Sequence, residues 1–260
     1  MIDTVVANFG KFFPEINNVL NVGILVFIRF LGLIRFAPVL NRKEIPGMVK
    51  LCFALIFSVI LVMVLKPSPP PLGTQLIYAA TVNYIFGALI GFIANCILAV
   101  AEAGGDMINM QMGLSSAMVL DPTSQTQTSI LGKFFALLGT LIFIQIGGLY
   151  WIFNAFIRSF DIFPVYAVAI PLSKIVNLPY LVTITSNVLY IGLQIAAPVL
   201  LATLGQDIIL GIISKTAPQI NVFQLSFLFK PVFGAAILIW IMPMLYNVIN
   251  DFYLSFSNIF

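Results

Sequence analysis

Long apolar segments alternate with short polar connections along almost the whole chain. Six segments are long enough to cross or nearly cross a bilayer core, which takes about 20 helical residues. The six lie at about 16–40, 48–65, 75–101, 129–157, 180–206 and 222–249. Because the apolar runs are continuous rather than alternating, they favour helices over barrel strands. The pattern predicts an all-α polytopic membrane protein with about six long apolar helices.

The connections are marked by residues that break helices. Pro46-Gly47, the proline-rich run at 66–71 and Pro179 separate neighbouring segments. The apolar patch at 162–172 is too short to span, and its two prolines indicate an interfacial or re-entrant piece. The stretch at 207–214 is either further helical turns or a break. Pro198 and Pro243 predict kinks within the last two segments.

Residues 1–260 are predicted to form a single integral membrane domain. It is divided into N-terminal helices at 16–101, a central polar segment at 102–129 and C-terminal helices at 129–249. No interval between the apolar segments could hold a soluble domain with its own core.

Composition excludes a soluble domain. The chain is 61% hydrophobic and only 8% charged, whereas a soluble domain has about a quarter of its residues charged. The net charge of +3 includes no basic cluster of the kind that binds nucleic acid. The sequence has no histidine, no phosphate-binding loop and no nucleophile motif. We therefore predict no cofactor, no metal site and no enzymatic activity.

Arg29 and Arg35 lie within the first apolar segment, and Lys230 lies inside the last. A cation at a helix centre costs about 2.5–3.5 kcal/mol on insertion scales, so such groups usually face protein or a water-filled cavity. Arg29 could alternatively reach a lipid headgroup. Lys and Arg are divided four against four between the two predicted sides, so orientation is left undetermined. These features together favour a chain packed against partner subunits through buried charges.

The central segment Glu102–Ser129 is unusual in combining glycines, methionines and uncharged polar residues. Methionine is flexible and polarizable, and hydrophobic constrictions can close a pore by excluding water. The segment could therefore close a channel, with its glycines allowing bending. The alternative is an ordinary connection that follows a methionine-rich helix end, and composition alone favours that alternative.

The stretch at 215–223 is predicted to be a turn between the last two helices. Pro218 cannot continue a helix, and Asn221 is suited to cap the next one.

Motifs spread over nearly the whole chain resemble one known family. They are Arg35–Pro38, Ile45–Lys50, Gly105–Ile108, Gln111–Ser115, Asp121-Pro122, Lys133–Phe143, Ala197-Pro198, Ser214–Phe223 and Lys230. In order and spacing they are similar to the FliR/SctT family of type III secretion export-gate subunits. Gly147-Gly148 departs from the Gly-His of flagellar members and is closer to injectisome members, whereas Gln111-Met112-Gly113 is closer to flagellar ones. We take the flagellar assignment first and the injectisome counterpart SctT as the alternative.

The resemblance implies a fold and a role. It implies kinked helical hairpins in a helical export-gate assembly of the bacterial inner membrane, in contact with lipid, with FliP-like and FliQ-like subunits and with an FlhB-like subunit. It implies a channel for unfolded export substrates, with the central segment as part of the plug. The plug residues would be Gly105, Met107, Met110, Gln111, Met112, Gly113, Leu114, Ser115, Met118 and Asp121.

A small-solute transporter is the more distant alternative. Such proteins usually contain internal repeats and a polar site at the membrane midplane, whereas this sequence shows no convincing repeat and gathers its polar residues in one segment.

Overall fold

The computed structural model describes residues 14–42, 44–65, 76–114, 129–166 and 178–257. The regular structure in these ranges is entirely helical, which confirms the predicted all-α fold. The helices are α1 (Pro14–Phe36), α2 (Gly47–Leu65), α3 (Leu76–Gln111), α4 (Ile130–Gln145), α5 (Gly148–Ile162), α6 (Leu178–Thr216) and α7 (Val222–Ser257).

Five of these helices, α1, α2, α3, α6 and α7, are long and apolar enough to cross a membrane by length and composition. The fourth predicted segment is not one continuous helix, because it breaks between α4 and α5. Gly147 has a φ of +82°, a left-handed conformation that glycine adopts without steric cost. Gly148 lies so close to the ring of Phe143 that a Cβ would not fit. If α4 and α5 are counted together as one interrupted span, the candidate spans number six by length and composition.

Two helices are longer than predicted. α3 continues through Gln111, so the polar segment that was expected to begin at Glu102 begins about ten residues later. The stretch at 207–214 is a continuation of α6, which ends at Thr216. Conversely α1 ends at Phe36, close to Pro38, which disfavours helical geometry in the residue before it. Of the piece predicted at 162–172, residues 167–172 lie outside the described residues.

The helices form two compact units within the chain. Unit 1 comprises residues 1–95 and 150–178, and unit 2 comprises residues 96–149 and 179–260. Unit 1 therefore contains α1, α2, the first part of α3 and most of α5. Unit 2 contains the end of α3 together with α4, α6 and α7.

The core of unit 1 is aromatic. Phe30 of α1 stacks on Phe57 of α2, with ring centroids 4.7 Å apart, and meets Phe156 of α5 edge to face at 5.1 Å. Glycines allow α1 and α3 to touch backbone to backbone. A Cβ on Gly87 would overlap the carbonyl oxygen of Arg29, and one on Gly91 would lie 2.6 Å from that of Leu33. This small-xxx-small pair brings the two helices together as in other membrane helix pairs.

Adjacent glycines near the end of α3 organise unit 2. A Cβ on Gly104 would lie 3.1 Å from the carbonyl oxygen of Gly192 in α6, and one on Gly105 would lie 2.7 Å from that of Leu131 in α4. Consecutive helical residues point about 100° apart, so each glycine of the pair allows a different neighbouring helix to approach closely. Both glycines are sites of close packing inside a continuous helix, and the expectation that they allow bending stays a prediction.

A short turn joins α6 to α7. Thr216 ends α6, and Pro218 lies in the turn that follows. The side-chain oxygen of Asn221 accepts a hydrogen bond from the backbone N–H of Gln224 at 3.2 Å, which satisfies one of the unpaired donors at the start of α7.

We expect Asn221→Ala to cost about 0.5–2 kcal/mol of local stability, because it removes this cap. On the role that the family resemblance implies, the loss should appear as weaker retention of partner subunits during purification, with cargo selectivity unchanged. Asn95→Ala is the control, because Asn95 is exposed in the interior of α3 and should have little effect. An Asn221→Ala variant that assembles normally but exports a different set of substrates would contradict a purely structural role for the turn.

Candidate functional site

The end of α3 is fixed by a defined C-terminal capping motif. Gly113 has a φ of +73°, its N–H donates to the carbonyl of Met110 at 3.1 Å, and the N–H of Leu114 donates to that of Asn109 at 3.2 Å. These two bonds around a left-handed glycine are the Schellman motif. Gly113 therefore ends α3.

The structure divides the predicted plug residues into three groups. Gly105, Met107, Met110 and Gln111 lie within α3, and Met112, Gly113 and Leu114 form the turn after it. Ser115, Met118 and Asp121 lie outside the described residues. The methionines differ sharply in exposure, because the Met110 side chain is 71% exposed and Met112 is only 3% exposed. Met107 is half-buried, so Met110 is the most exposed of the three methionines that the structure describes here.

The start of α4 lies directly beside the end of α3. The side-chain oxygen of Asn109 accepts a hydrogen bond from the backbone N–H of Leu131 at 3.4 Å. Ser129 caps α4 by accepting from the N–H of Gly132 at 2.8 Å. The carboxylate of Asp106 lies against Gly132 and leaves no room there for a Cβ, in a position that complements the positive end of α4. The two ends of the connection at 115–128 are thus held together.

Arg29 is the centre of a polar cluster in unit 1. Its Nε donates to the side-chain oxygen of Asn83 at 2.8 Å, and its two terminal nitrogens donate to the hydroxyl of Ser159 at 3.1 Å and to the carbonyl of Phe163 at 2.9 Å. The guanidinium also lies 4.1 Å from the ring centre of Phe160, within cation–π range. Arg29 is fully buried in these contacts, so its burial does not require a partner subunit.

Asn83 extends this cluster to the chain that follows α5. Its side-chain nitrogen donates to the carbonyl of Val165 at 3.0 Å and to that of Ala79 at 2.7 Å. Arg29 and Asn83 together therefore hold two carbonyls on either side of Pro164. Sequence analysis missed Asn83 and Ser159, although a polar side chain within an apolar helix was the available signal.

Arg35 does not share this environment. It lies in the last turn of α1 and is exposed in the isolated chain, so its packing against a partner subunit stays a prediction. A cation in that position complements the negative end of the helix and can reach lipid headgroups without burial.

Lys230 forms an ion pair that the sequence analysis did not predict. Its Nζ lies 2.7 Å from a carboxylate oxygen of Asp207, and the two side chains are 19% and 45% exposed. The pair joins α6 to α7. Asp207 lies nine residues before the end of α6 and Lys230 lies eight residues after the start of α7. This near-equal spacing from the turn is the signal that could have revealed the pair, since such positions are adjacent in an antiparallel hairpin.

The buried or half-buried cations of both units make structural contacts within the chain. Within the described ranges, no group of three or more Cys, Asp or Glu side chains is placed to hold a metal ion. Cys52 is exposed, Cys96 is buried, and both are free thiols. The features that stand out are the capped end of α3 with its exposed methionine, the Arg29 cluster and the Asp207–Lys230 pair.

Comparison with known proteins gives a consistent family assignment. The family model described as bacterial export proteins, family 1, matches residues 20–255. The chain is 26% identical to the flagellar biosynthetic protein FliR of Escherichia coli K12 over 228 residues, which is 87% of this chain and 86% of that protein. It is 26% identical to FliR of Bacillus subtilis 168 over 230 residues, or 88% of each chain.

A relative with a different role is equally similar. The surface presentation of antigens protein SpaR of Salmonella typhimurium LT2 is 26% identical over 236 residues, covering 90% of this chain and 87% of SpaR. The family match runs from α1 into α7, so it includes the Arg29 cluster, the end of α3 and the α6–α7 pair. The chain is therefore a multi-pass membrane protein that belongs to family 1 of the bacterial export proteins, the FliR/SctT family.

Proposed function

We propose that this chain is a non-enzymatic subunit of the flagellar type III protein export gate. Together with FliP-like and FliQ-like subunits it forms the channel for unfolded export substrates, and an FlhB-like subunit is a further partner. The assembly lies in the bacterial inner membrane within the basal body. The family match supports the export role, and the FliR relatives support the flagellar apparatus.

The observation that carries the assembly proposal is the length of the α6–α7 pair. With 39 and 36 residues, the helices extend about 58 and 54 Å at 1.5 Å per residue. The hydrocarbon core of a bilayer is only about 30 Å thick. Large apolar side chains are nevertheless exposed from Val182 to Ile212 on α6 and from Phe223 to Leu254 on α7. Because lipid cannot cover this whole length, apolar protein partners should cover the remainder.

The injectisome counterpart is the second candidate. The similarity to SpaR and the Gly147-Gly148 break between α4 and α5 favour it. The Gln111-Met112-Gly113 sequence at the end of α3 favours the flagellar gate, which we retain.

The plug proposal is centred on Met110. This methionine is exposed on the last turn of a helix whose end is fixed by the Gly113 cap. A flexible apolar side chain on a fixed support can close a dewetted constriction and still yield to passing cargo. Met112 is not equivalent, because it is buried. Ser115, Met118 and Asp121 remain part of the proposed plug by resemblance to the family.

Met110→Gly is expected to make the assembled resting complex leak small ions, because it removes apolar closure from the constriction. The measurement is potassium flux from proteoliposomes that contain the complex. Substitution of the exposed Met63 of α2 by Gly is the control and should leave the flux unchanged. A Met110→Gly complex that is fully assembled and as tight as the unmodified one would contradict the channel-closing role. A saturable flux selective for one solute would instead indicate a transporter.

A further inference from the structure

The side chain of Met112 is seated against a glycine of α7. Met112 follows the last residue of α3 and is almost completely buried. A Cβ on Gly234 would lie 2.7 Å from its Cγ, Sδ and Cε atoms. The missing side chain of Gly234 therefore creates a notch in α7 that the thioether of Met112 fills.

The notch is placed one helical turn from the ion pair of the α6–α7 hairpin. Gly234 follows Lys230 by four residues, a spacing that places both on one face of a helix. Lys230 in turn contacts Asp207 of α6. The α7 turn that receives Met112 is therefore also tied to α6.

The same end of α3 is held on a second side. Asn109, one turn before Met112 along the chain, is buried and accepts the hydrogen bond from Leu131 at the start of α4. Between these two anchors lies Met110, whose side chain is exposed. An exposed methionine is thus presented by a helix end that has its neighbouring side chains fixed to α4 and α7.

We propose that Met112 is a positioning residue: by filling the Gly234 notch it holds the end of α3 on α7 and so sets where Met110 lies. This inference rests on the proposed function of Met110 as part of the channel plug. It assigns to Gly234 the role of receiving site and to the Asp207–Lys230 pair the role of keeping that part of α7 in register with α6.

The chemistry of the contact makes the role separable from folding. A side chain added at Gly234 would meet the flexible end of Met112 and no backbone atom among its three nearest neighbours. The methionine can rotate away at modest cost. Enlarging position 234 should therefore expel Met112 from the notch while the helices stay packed.

The test is a volume-conserving exchange across the contact. Gly234→Val adds three heavy atoms to α7, and Met112→Ala removes the three that occupy the notch. Such exchanges are tolerated best when total volume is kept. Gly47→Val is the control, because a Cβ at Gly47, the first residue of α2, would meet nothing within 4 Å.

Potassium flux is measured from proteoliposomes that contain the assembled complex. Each single variant should raise the resting leak severalfold, and the double variant Gly234→Val/Met112→Ala should return it towards the unmodified level. Gly47→Val should not change it. If Gly234→Val prevents assembly, Met112→Ala alone carries the test, with Met110→Gly as reference. If the single variants assemble and do not leak while Met110→Gly leaks, the notch proposal is overturned and the proposed function stands. The same conclusion follows if the double variant leaks as much as the single variants. If Met110→Gly is also tight, the plug proposal itself fails.

Discussion

Gly87→Ala should separate α1 from α3 and destabilise unit 1 by about 3 kcal/mol or more, at or above the upper end of the range typical of over-packing. The added Cβ would overlap the carbonyl oxygen of Arg29 and would lie 2.9 Å from the backbone nitrogen of Leu33. Both obstacles are backbone atoms in the interior of a helix, so no rotamer change can relieve the clash. The measurement is the thermal unfolding midpoint of the purified complex, together with its yield.

Gly23→Ala provides the control, because Gly23 lies in α1, the helix against which Gly87 of α3 packs. Its Cβ would make only an ordinary contact, 3.8 Å from a methyl group of Val62. Since alanine is favoured over glycine in a helix interior by about 0.5–1 kcal/mol, Gly23→Ala should be neutral or slightly stabilising. Equal unfolding midpoints for Gly87→Ala and Gly23→Ala would show that α1 and α3 do not approach as closely as described.

Arg29→Met is expected to have the second large effect. It replaces a buried guanidinium by an apolar chain and leaves the acceptors on Asn83 and Phe163 without their donor. Each buried polar group left unpaired costs about 1–3 kcal/mol, so a total loss of about 2 kcal/mol or more is expected from thermal unfolding of the complex. Arg29→Lys should recover little, because one ammonium cannot reproduce the three-directional fork of the guanidinium.

A double variant identifies the cause of that loss. Arg29→Met combined with Asn83→Leu removes both members of one hydrogen bond and should be less destabilising than the sum of the two single variants, because replacing both partners by apolar groups can be nearly neutral. Strictly additive losses, or an Arg29→Met variant as stable as the unmodified protein, would contradict the assigned hydrogen-bond cluster.

The positions of most helices along the sequence were predictable, because the hydropathy signal that marks them is local. Hydropathy over about 20 residues locates a membrane helix whatever surrounds it, and the apolar segments around α1, α2, α6 and α7 were found this way. The break between α4 and α5 was missed because their hydropathy is continuous across it. Gly147-Gly148 was visible in the sequence, but glycine is common in membrane helices and a positive φ cannot be inferred from composition.

The central segment shows most clearly what could not be predicted from the sequence. Its glycines and methionines were interpreted together as one flexible polar segment, yet the structure gives each a different environment. Gly105 packs against α4 and Met112 fills a notch in α7, whereas Gly113 ends the helix with a positive φ. These roles depend on residues that are distant in sequence, and neither propensity nor periodicity identifies them.

For the buried cations too, contacts between residues distant in sequence could not be predicted. The cost of a cation in an apolar helix indicated that Arg29 and Lys230 need polar contacts, and the structure places such contacts within the chain itself. The partners themselves could not be predicted for Arg29, because Asn83 and Ser159 lie 54 and 130 residues away. Asp207 was within reach of prediction, since it and Lys230 flank a short turn at similar distances.

Purification of the chain with and without partners tests the central claim most directly. The claim is that apolar protein covers the parts of α6 and α7 that extend beyond the bilayer. Expressed by itself in detergent, the chain should aggregate or be degraded, whereas co-expression with FliP-like and FliQ-like subunits should yield one monodisperse complex that contains all three. Size-exclusion chromatography with light scattering distinguishes the two results. A monodisperse, thermally stable monomer would contradict the account.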